Sequence, residues 1–289
     1  MKEYVISVDL GGTNVRVGLI SSDLEIIKVN REPSIKKDKI ALANQICRLI
    51  SYLPYQEYNV KKVGISACGF IENDHINHIT NLELDDFDLK GEILKNYPFF
   101  NVRIINDANC TALSEALFGA SKDYQTSYFV TMSTGVGGGF IYNKNLIDLP
   151  FEIGNEIISY KGENYYLEKL LSGTGIVKLC ALNSLKVNNA FEFFTLVREN
   201  NSLAKQILND WIRLTSEMLF NIQIIFNTDC IVLSGGVMKS QDLFFDQLIK
   251  ESNILISKYP IKKINLVLAK FDQDAGLIGG ASVALVLEK

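Results

Sequence analysis

The first thirty residues carry three short apolar runs, 4–9, 14–20 and 24–30, separated by turns rich in glycine, serine and aspartate. The first run is apolar from Tyr4 to Val8 and ends on the Asp9 carboxylate, and apolar alternation resumes after the turn, so three short strands in quick succession are expected. From Lys39 to Leu53 the period changes: Ile40, Leu42, Ala43, Ile46, Leu49 and Ile50 fall on one face of a helix. "VKKVGISACG" reads as a further strand, followed by a polar hairpin-like loop, "NDHINHIT", and a short helix near Leu89 to Tyr97. "NVRIIND" is then a strand that stops at Asn106-Asp107, and "ANCTALSEALFG" continues as a helix closed by Gly119.

From Ser127 the opening pattern recurs. "FVTMSTGVGGGFIYNKNLI" gives a strand, a glycine-rich turn with Ser133 and Thr134, a second strand, a turn and a third strand. Set beside "VISVDLGGTNVRVGLISSDLEII", it reads as a second copy of one supersecondary unit. Helical segments are expected over about 164–228, a strand at "CIVLSGG", a helix over about 241–257, a strand at "KINLVLAK" and a closing helix at "DAGLIGGASVALVL".

Composition narrows the class. The chain has 289 residues, 47% hydrophobic and 21% charged, enough for two globular domains with their own cores. Net charge is −4, and the lysines are scattered in short groups such as "KKDK" and "IKK", not in the basic stripe of a nucleic-acid binder. The longest nearly apolar stretch, around Gly276 to Leu287, holds three glycines and is too short to span a bilayer. Met1-Lys2-Glu3 leads straight into the first strand, without a signal-peptide layout, so a cytoplasmic protein is expected. Cys47, Cys68, Cys110, Cys180 and Cys230 form no CxxC or CxC pair, and the two histidines, His75 and His78, share one loop. Ser-His-Asp and Cys-His chemistry is therefore disfavoured, and a general base is expected to be a carboxylate.

Three glycine-rich turns stand at strand ends: Gly11-Gly12-Thr13, Thr134-Gly135 with Gly137-Gly138-Gly139, and Gly235-Gly236. Glycine lets backbone N–H groups approach a phosphate closely, and threonine adds a hydroxyl donor. A single such turn also serves an ordinary hairpin, whereas three together point to a nucleotide. Neither GxxxxGK[ST] nor GxGxxG is present, which removes the P-loop and the dinucleotide fold. In "INDAN", Asn106 and Asp107 suit helix capping, and alone capping is the commoner role. With a triphosphate nearby, Asp107 would be placed to take the proton of an attacking hydroxyl. Glu152 in "FEIGNE" and Glu168 in "YYLEKLLSGTG" could then accept from sugar hydroxyls, although each also reads as a surface glutamate.

"VDLGGTNVRVGLI", "INDANCTALSEALFG", "STGVGGGFI", "FEIGNE", "LEKLLSGTGI", "VLSGGVM" and "DAGLIGGA" occur in the order seen in the ROK family of sugar kinases, which the chain resembles over nearly its whole length. "STGVGGG" and "GFIEND" look most like the bacterial N-acetylmannosamine kinases of that family. The resemblance implies the actin-like, ribonuclease H-like fold: two α/β domains with a cleft between them, residues 1–115 plus 275–289 and residues 116–274. It implies ATP and Mg²⁺ as cofactors, a first phosphate turn of Gly11, Gly12, Thr13 and Asn14, and Asp9 near the metal. Thr134, Gly135 and Gly137 would form the second turn, with Gly235 and Gly236 near the adenosine. Asp107 matches the family's catalytic base; Asn106, Glu152 and Glu168 match its sugar ligands, with Gly69 and Thr80 as weaker contacts. The implied reaction is phosphorylation of the 6-hydroxyl of N-acetylmannosamine, a step of sialic acid catabolism, with glucose or a β-glucoside as the alternative substrate. Family members are often dimers, so a homodimer is expected.

The chain departs from the family at one place. A family histidine is replaced by Asn155, and the cysteine-rich zinc loop is replaced by "ISYKGENYYLE", which has no cysteine. Structural zinc is therefore expected to be absent. Tyr165, Tyr166 and Leu167 would have to order this segment by packing, and Asn155 would either stand in for the histidine at the sugar or leave room for an N-acetyl group. A sugar-responsive repressor of the same family ranks below a kinase, because such repressors carry an N-terminal helix-turn-helix domain and this acidic chain opens on the phosphate-turn strand. A catalytically degraded sugar-binding protein is the remaining alternative; the retained Asp107 argues against it.

Overall fold

The structure is a computed structural model that describes residues 2–272 and 274–287. The chain divides into two compact units. The first takes the chain up to Leu117, the segment Leu146–Pro150 and the C-terminal helix; the second takes Phe118–Asn145 and Phe151–Asp272.

In the first unit, β1 (Tyr4–Leu10), β2 (Asn14–Ser21), β3 (Ile26–Pro33), β4 (Lys62–Ala67) and β8 (Asn101–Asn106) form one sheet in the order β3-β2-β1-β4-β8. The β1–β2 and β2–β3 pairs are antiparallel, and β1–β4 and β4–β8 are parallel. The alternation of β1 explains its two covered faces. Ile6, Val8 and Leu10 belong to a core with Leu42 and Ile46 of α1 (Lys39–Ser51), whereas Val5 packs with Leu277, Ala281 and Ala284 of α9 (Ala275–Val286). Glycine lets α9 approach closely: a Cβ built at Gly64 of β4 would lie 1.9 Å from the Gly280 carbonyl oxygen. Ser7 Oγ donates to the Leu277 carbonyl at 2.6 Å on the same face.

Between β4 and β8 lies a small antiparallel sheet of β5 (Phe70–Glu72), β6 (His75–Ile79) and β7 (Leu84–Phe87), followed by α2 (Leu89–Asn96). The histidine segment, expected as a loop, is thus a strand. Ile71, Ile76, Ile79, Leu84 and Phe87 bury one face of this sheet, but in runs too short to show a period in sequence. β8 leads into α3 (Asp107–Phe118).

The second unit repeats the design. β9 (Ser127–Met132), β10 (Val136–Tyr142), β11 (Asn145–Ile147), β14 (Cys230–Ser234) and β15 (Leu266–Leu268) run in the order β11-β10-β9-β14-β15. Again an antiparallel hairpin, β9–β10, is extended by parallel strands, β9–β14 and β14–β15. The repeat read from the two glycine turns thus extends to the order of whole sheets. The long helix α7 (Ser202–Phe226) lays Ile207, Trp211, Met218 and Ile222 into the core, and Trp211 Nε1 donates to the Leu171 carbonyl at 3.1 Å. Residues 164–228 are not helical throughout. β12 (Ile157–Tyr160) and β13 (Glu163–Tyr166) form a hairpin before α4 (Glu168–Leu171), α5 (Gly173–Leu182) and α6 (Ala190–Arg198). The helix expected over 241–257 is a 3₁₀ turn, Gly236–Leu243, followed by α8 (Phe245–Ile256). No helix among the described residues is long and apolar enough to cross a membrane.

Candidate functional site

In the first unit the turn between β1 and β2 is closed by the Gly11 N–H, which donates to the Asn14 carbonyl at 3.0 Å. Ser34 braces it twice: its N–H donates to the Thr13 carbonyl at 3.0 Å and its Oγ to the Gly11 carbonyl at 2.7 Å. Gly12 has no room for a side chain, since a Cβ there would lie 2.5 Å from the Asn81 Cβ. Asp9 precedes the turn, and its Oδ2 accepts from Arg16 Nε at 2.8 Å. Arg16 also reaches Asp274 Oδ1 at 3.0 Å. Burial pushes the Asp9 carboxyl above the usual aspartate range, and the Arg16 charge pulls it part of the way back.

Asn106 ends β8 and Asp107 begins α3. Asn106 does cap the helix: its Oδ1 accepts from the Ala108 N–H at 2.9 Å. Its Nδ2 donates to the Gly69 carbonyl at 2.9 Å, so the same side chain also fixes the strand-end loop. Gly69 has φ +105°, and a Cβ there would lie 2.3 Å from the His78 carbonyl oxygen, which accounts for glycine at this position. Asp107 is exposed, with its Oδ1 also accepting from the Ala108 N–H at 2.9 Å. Thr80 opens a 3₁₀ turn, Thr80–Leu82, beside Asn81. Asp9, Gly11, Gly12, Thr13, Asn14, Gly69, Thr80, Asn106 and Asp107 all lie in the first unit, at the ends of β1, β4, β6 and β8 or in the turns that follow.

In the second unit the turn after β9 is held from two sides. The Gly173 N–H, at the first turn of α5, donates to the Ser133 carbonyl at 2.7 Å, and Thr174 Oγ1 donates to the Thr134 carbonyl at 2.6 Å. From the other side, the Gly236 N–H donates to Ser133 Oγ at 3.4 Å. Gly235 has φ +98°, and a Cβ there would lie 2.3 Å from the Met132 carbonyl oxygen. These contacts gather the second and third glycine turns around one cavity of about 450 Å³, lined by Thr134, Thr174, Val177, Asn189, Phe191 and Gly236, among others. Phe191 is 77% exposed at the start of α6. Gly137 lies within β10, paired with Thr131, and not in the turn itself.

Glu152, Asn155 and Glu168 come together on one side of the second turn. A Cβ at Gly154 would lie 3.4 Å from the Glu168 Cβ, and one at Gly135 would lie 2.8 Å from Glu168 Oε2. Desolvation, and then the Glu168 charge, push the Glu152 carboxyl above its usual range. The segment without cysteines is ordered as the β12–β13 hairpin, in which Leu167 is buried and Tyr165 packs on the core, while Tyr166 stays 53% exposed. Among the described residues no three His, Cys, Asp or Glu side chains are grouped to hold a metal ion.

The sheet order, the two braced turns and the Asn106-Asp107 strand end bear on the comparisons with known proteins. A model of the ROK family matches residues 5–287. The chain belongs to the ROK family. A glucokinase of Halalkalibacterium halodurans is 27% identical, over 96% of this chain and 93% of its own. An N-acetylmannosamine kinase of Escherichia coli is 25% identical, over 97% of this chain and 98% of its own. Among solved structures, the ROK hexokinase of Thermus thermophilus superposes with a TM-score of 0.84 at 21% identity, covering 99% of this chain and 98% of its own. The fold is thus the actin-like α/β fold of ROK proteins.

Sequence reasoning missed Arg16, Asn81, Thr174 and Phe191. Arg16 was within reach: a tight β1–β2 hairpin pairs position 9 with position 16, as the structure does. Asn81, Thr174 and Phe191 carry no local signal, because only the fold brings them to the glycine turns.

Proposed function

We propose that this ROK-family protein is an ATP-dependent hexose or N-acetylhexosamine kinase that phosphorylates the 6-hydroxyl of N-acetylmannosamine, as in sialic acid catabolism. One observation carries the reading most: a turn braced by α5 and by Gly236 borders an apolar cavity of a size for a nucleoside. A phosphate chain would take hydrogen bonds from backbone N–H groups of Thr134 and Gly135, and from Gly12 and Thr13 of the first turn, which the Gly11 N–H closes. Gly137, Gly235 and Gly236 keep the backbone close, and Asn14 holds the first turn shut. The base would lie in the cavity with Phe191 as its stacking partner.

The sugar would be held by Asn106, Glu152, Glu168 and Asn155, with lesser contacts at Gly69 and Thr80. Asp107 would accept the proton of the 6-hydroxyl as its oxygen attacks the γ-phosphorus. The O6–P bond forms, the bond to the β-phosphate bridging oxygen breaks, and ADP leaves. The residues present fit a magnesium ion carried by the nucleotide. Mg²⁺ prefers one or two carboxylates plus phosphate oxygens, and Asp9 offers a carboxylate with one oxygen already oriented by Arg16. When bound, the ion would neutralise charge on the phosphates. Relatives named glucokinase and N-acetylmannosamine kinase match at similar identity, so glucose or a β-glucoside is the second reading.

A coupled ADP-release assay with MgATP tests this against N-acetylmannosamine, N-acetylglucosamine, glucose, mannose and a β-glucoside. The expected result is a selective rate on N-acetylmannosamine. Activity confined to glucose or the glucoside would keep the chemistry and overturn the substrate. Silence on all five, with sugar still raising the melting temperature, would favour a sugar-binding protein. A homodimer is part of the proposal, and light scattering on the purified protein tests it.

A further inference from the structure

The two histidines were set aside in the sequence, but one of them is built into a chain of hydrogen bonds. His78 and Asp85 are cross-strand partners in the β6–β7 pair. His78 Nδ1 lies 2.5 Å from Asp85 Oδ1, and His78 Nε2 lies 2.9 Å from Thr80 Oγ1. Asp85 as a carboxylate can only accept, so Nδ1 carries a proton and the ring is oriented by that bond. Nε2 on the far side of the ring is then aimed at the Thr80 hydroxyl and ties it in place. That fixes the orientation of an exposed hydroxyl.

The location gives this consequence. Thr80 is flanked by groups tied to the candidate site of the first unit. The next residue, Asn81, fills the space over Gly12 of the phosphate turn, and the preceding strand abuts Gly69, whose carbonyl is held by Asn106. We propose that His78 is a positioning residue that, together with Asp85, presents the Thr80 hydroxyl in a fixed orientation for a hydrogen bond to a polar group of the sugar, a hydroxyl or the acetamido group. The inference rests on the kinase reading and adds a determinant of sugar affinity to it. His75, the other histidine, pairs with Asp86 at 3.0 Å and reaches no such hydroxyl. It serves as the internal control.

The test is steady-state kinetics on the full chain with MgATP and the best sugar. His78→Ala, Thr80→Val and the double variant are compared with wild type and with His75→Ala, and thermal melts confirm folding. Losing one hydrogen bond is worth about 1 kcal/mol, so the sugar KM should rise about fivefold in His78→Ala, with kcat within about twofold. Thr80→Val should do the same, and the double variant should be no worse than Thr80→Val alone, because the two side chains act as one unit. Thr80→Ser, which keeps the hydroxyl, should restore the wild-type KM, and His75→Ala should leave it unchanged. An unchanged KM in His78→Ala, or additive effects in the double variant, would overturn the inference while leaving the kinase reading intact. A wild type inactive on every sugar would overturn that reading and this inference with it.

Discussion

The turns that follow β1 and β9 occupy equivalent places in two sheets of the same strand order, yet they are stabilised by different chemistry. The first is charged. Asp9 is half-buried against Arg16, which in turn reaches Asp274, and Gly12 is roofed by Asn81. The second has no ionic partner within the turn. Its Ser133 and Thr134 carbonyls are held by the first residues of α5, and Gly236 completes the brace. Duplicating a supersecondary unit therefore preserved the backbone path but not its chemistry. The first unit carries Asp9 and Asp107, suited to metal and proton; the second holds its turn by uncharged groups beside an apolar cavity, suited to phosphate and base, with Glu152 and Glu168 to one side.

That contrast is sharpest in kinetics. Asp107→Asn keeps the size and the capping ability of the side chain but cannot take a proton. Turnover should fall about 10²- to 10⁴-fold, the usual worth of general-base catalysis, with the melting temperature unchanged. Stopped-assay kcat with a parallel melt checks it; residual turnover near wild type would remove Asp107 from the chemistry. A second-unit variant should behave differently. Phe191→Ala should raise the KM for ATP about tenfold, from a stacking contribution of about 1–3 kcal/mol, without altering the sugar KM. An unchanged ATP KM would mean the base lies elsewhere.

Stability should separate the two turns as well. In Gly12→Ala the new methyl meets the root of the Asn81 side chain, so overpacking should cost about 1–3 kcal/mol in urea unfolding. In Gly135→Ala it meets the far end of Glu168, which can swing away, so the cost should stay within about 0.5 kcal/mol while the sugar KM rises. Equal losses would show that the two turns are braced alike.

The remaining effect concerns pH. The Asp9 carboxyl is raised by burial and drawn back by Arg16. With its folded value above the unfolded one, the native state binds the proton more readily, so stability falls as pH rises across that interval. Arg16→Met removes the opposing charge, which should raise the Asp9 carboxyl further and extend the fall to higher pH. The loss at neutral pH should be about 2 kcal/mol and should shrink in acid. A loss independent of pH would mean that Arg16 stabilises by packing alone.

Much of this was legible in the sequence because it depends on local period. The first-unit strands, the glycine turns and the Asn106-Asp107 strand end follow from alternation and turn chemistry alone. The histidine sheet was not legible, since Ile71, Ile76 and Ile79 are buried at irregular spacing. Nor was the β12–β13 hairpin, whose "ISYKGENYY" lacks a strong turn dipeptide and whose Ile157 and Tyr166 form an exposed cross-strand pair. Phe191 could not be found from sequence at all, because a phenylalanine at a helix start reads as core and only the fold leaves it uncovered beside a cavity.

The central claim is transfer of a phosphoryl group from ATP to the 6-hydroxyl of N-acetylmannosamine, and product analysis tests it most directly. Phosphorus NMR of a reaction with MgATP and this sugar should show ADP and one new phosphomonoester coupled to the C6 methylene protons. Phosphate on another carbon, inorganic phosphate alone, or unchanged ATP beside a sugar that still binds would contradict the account.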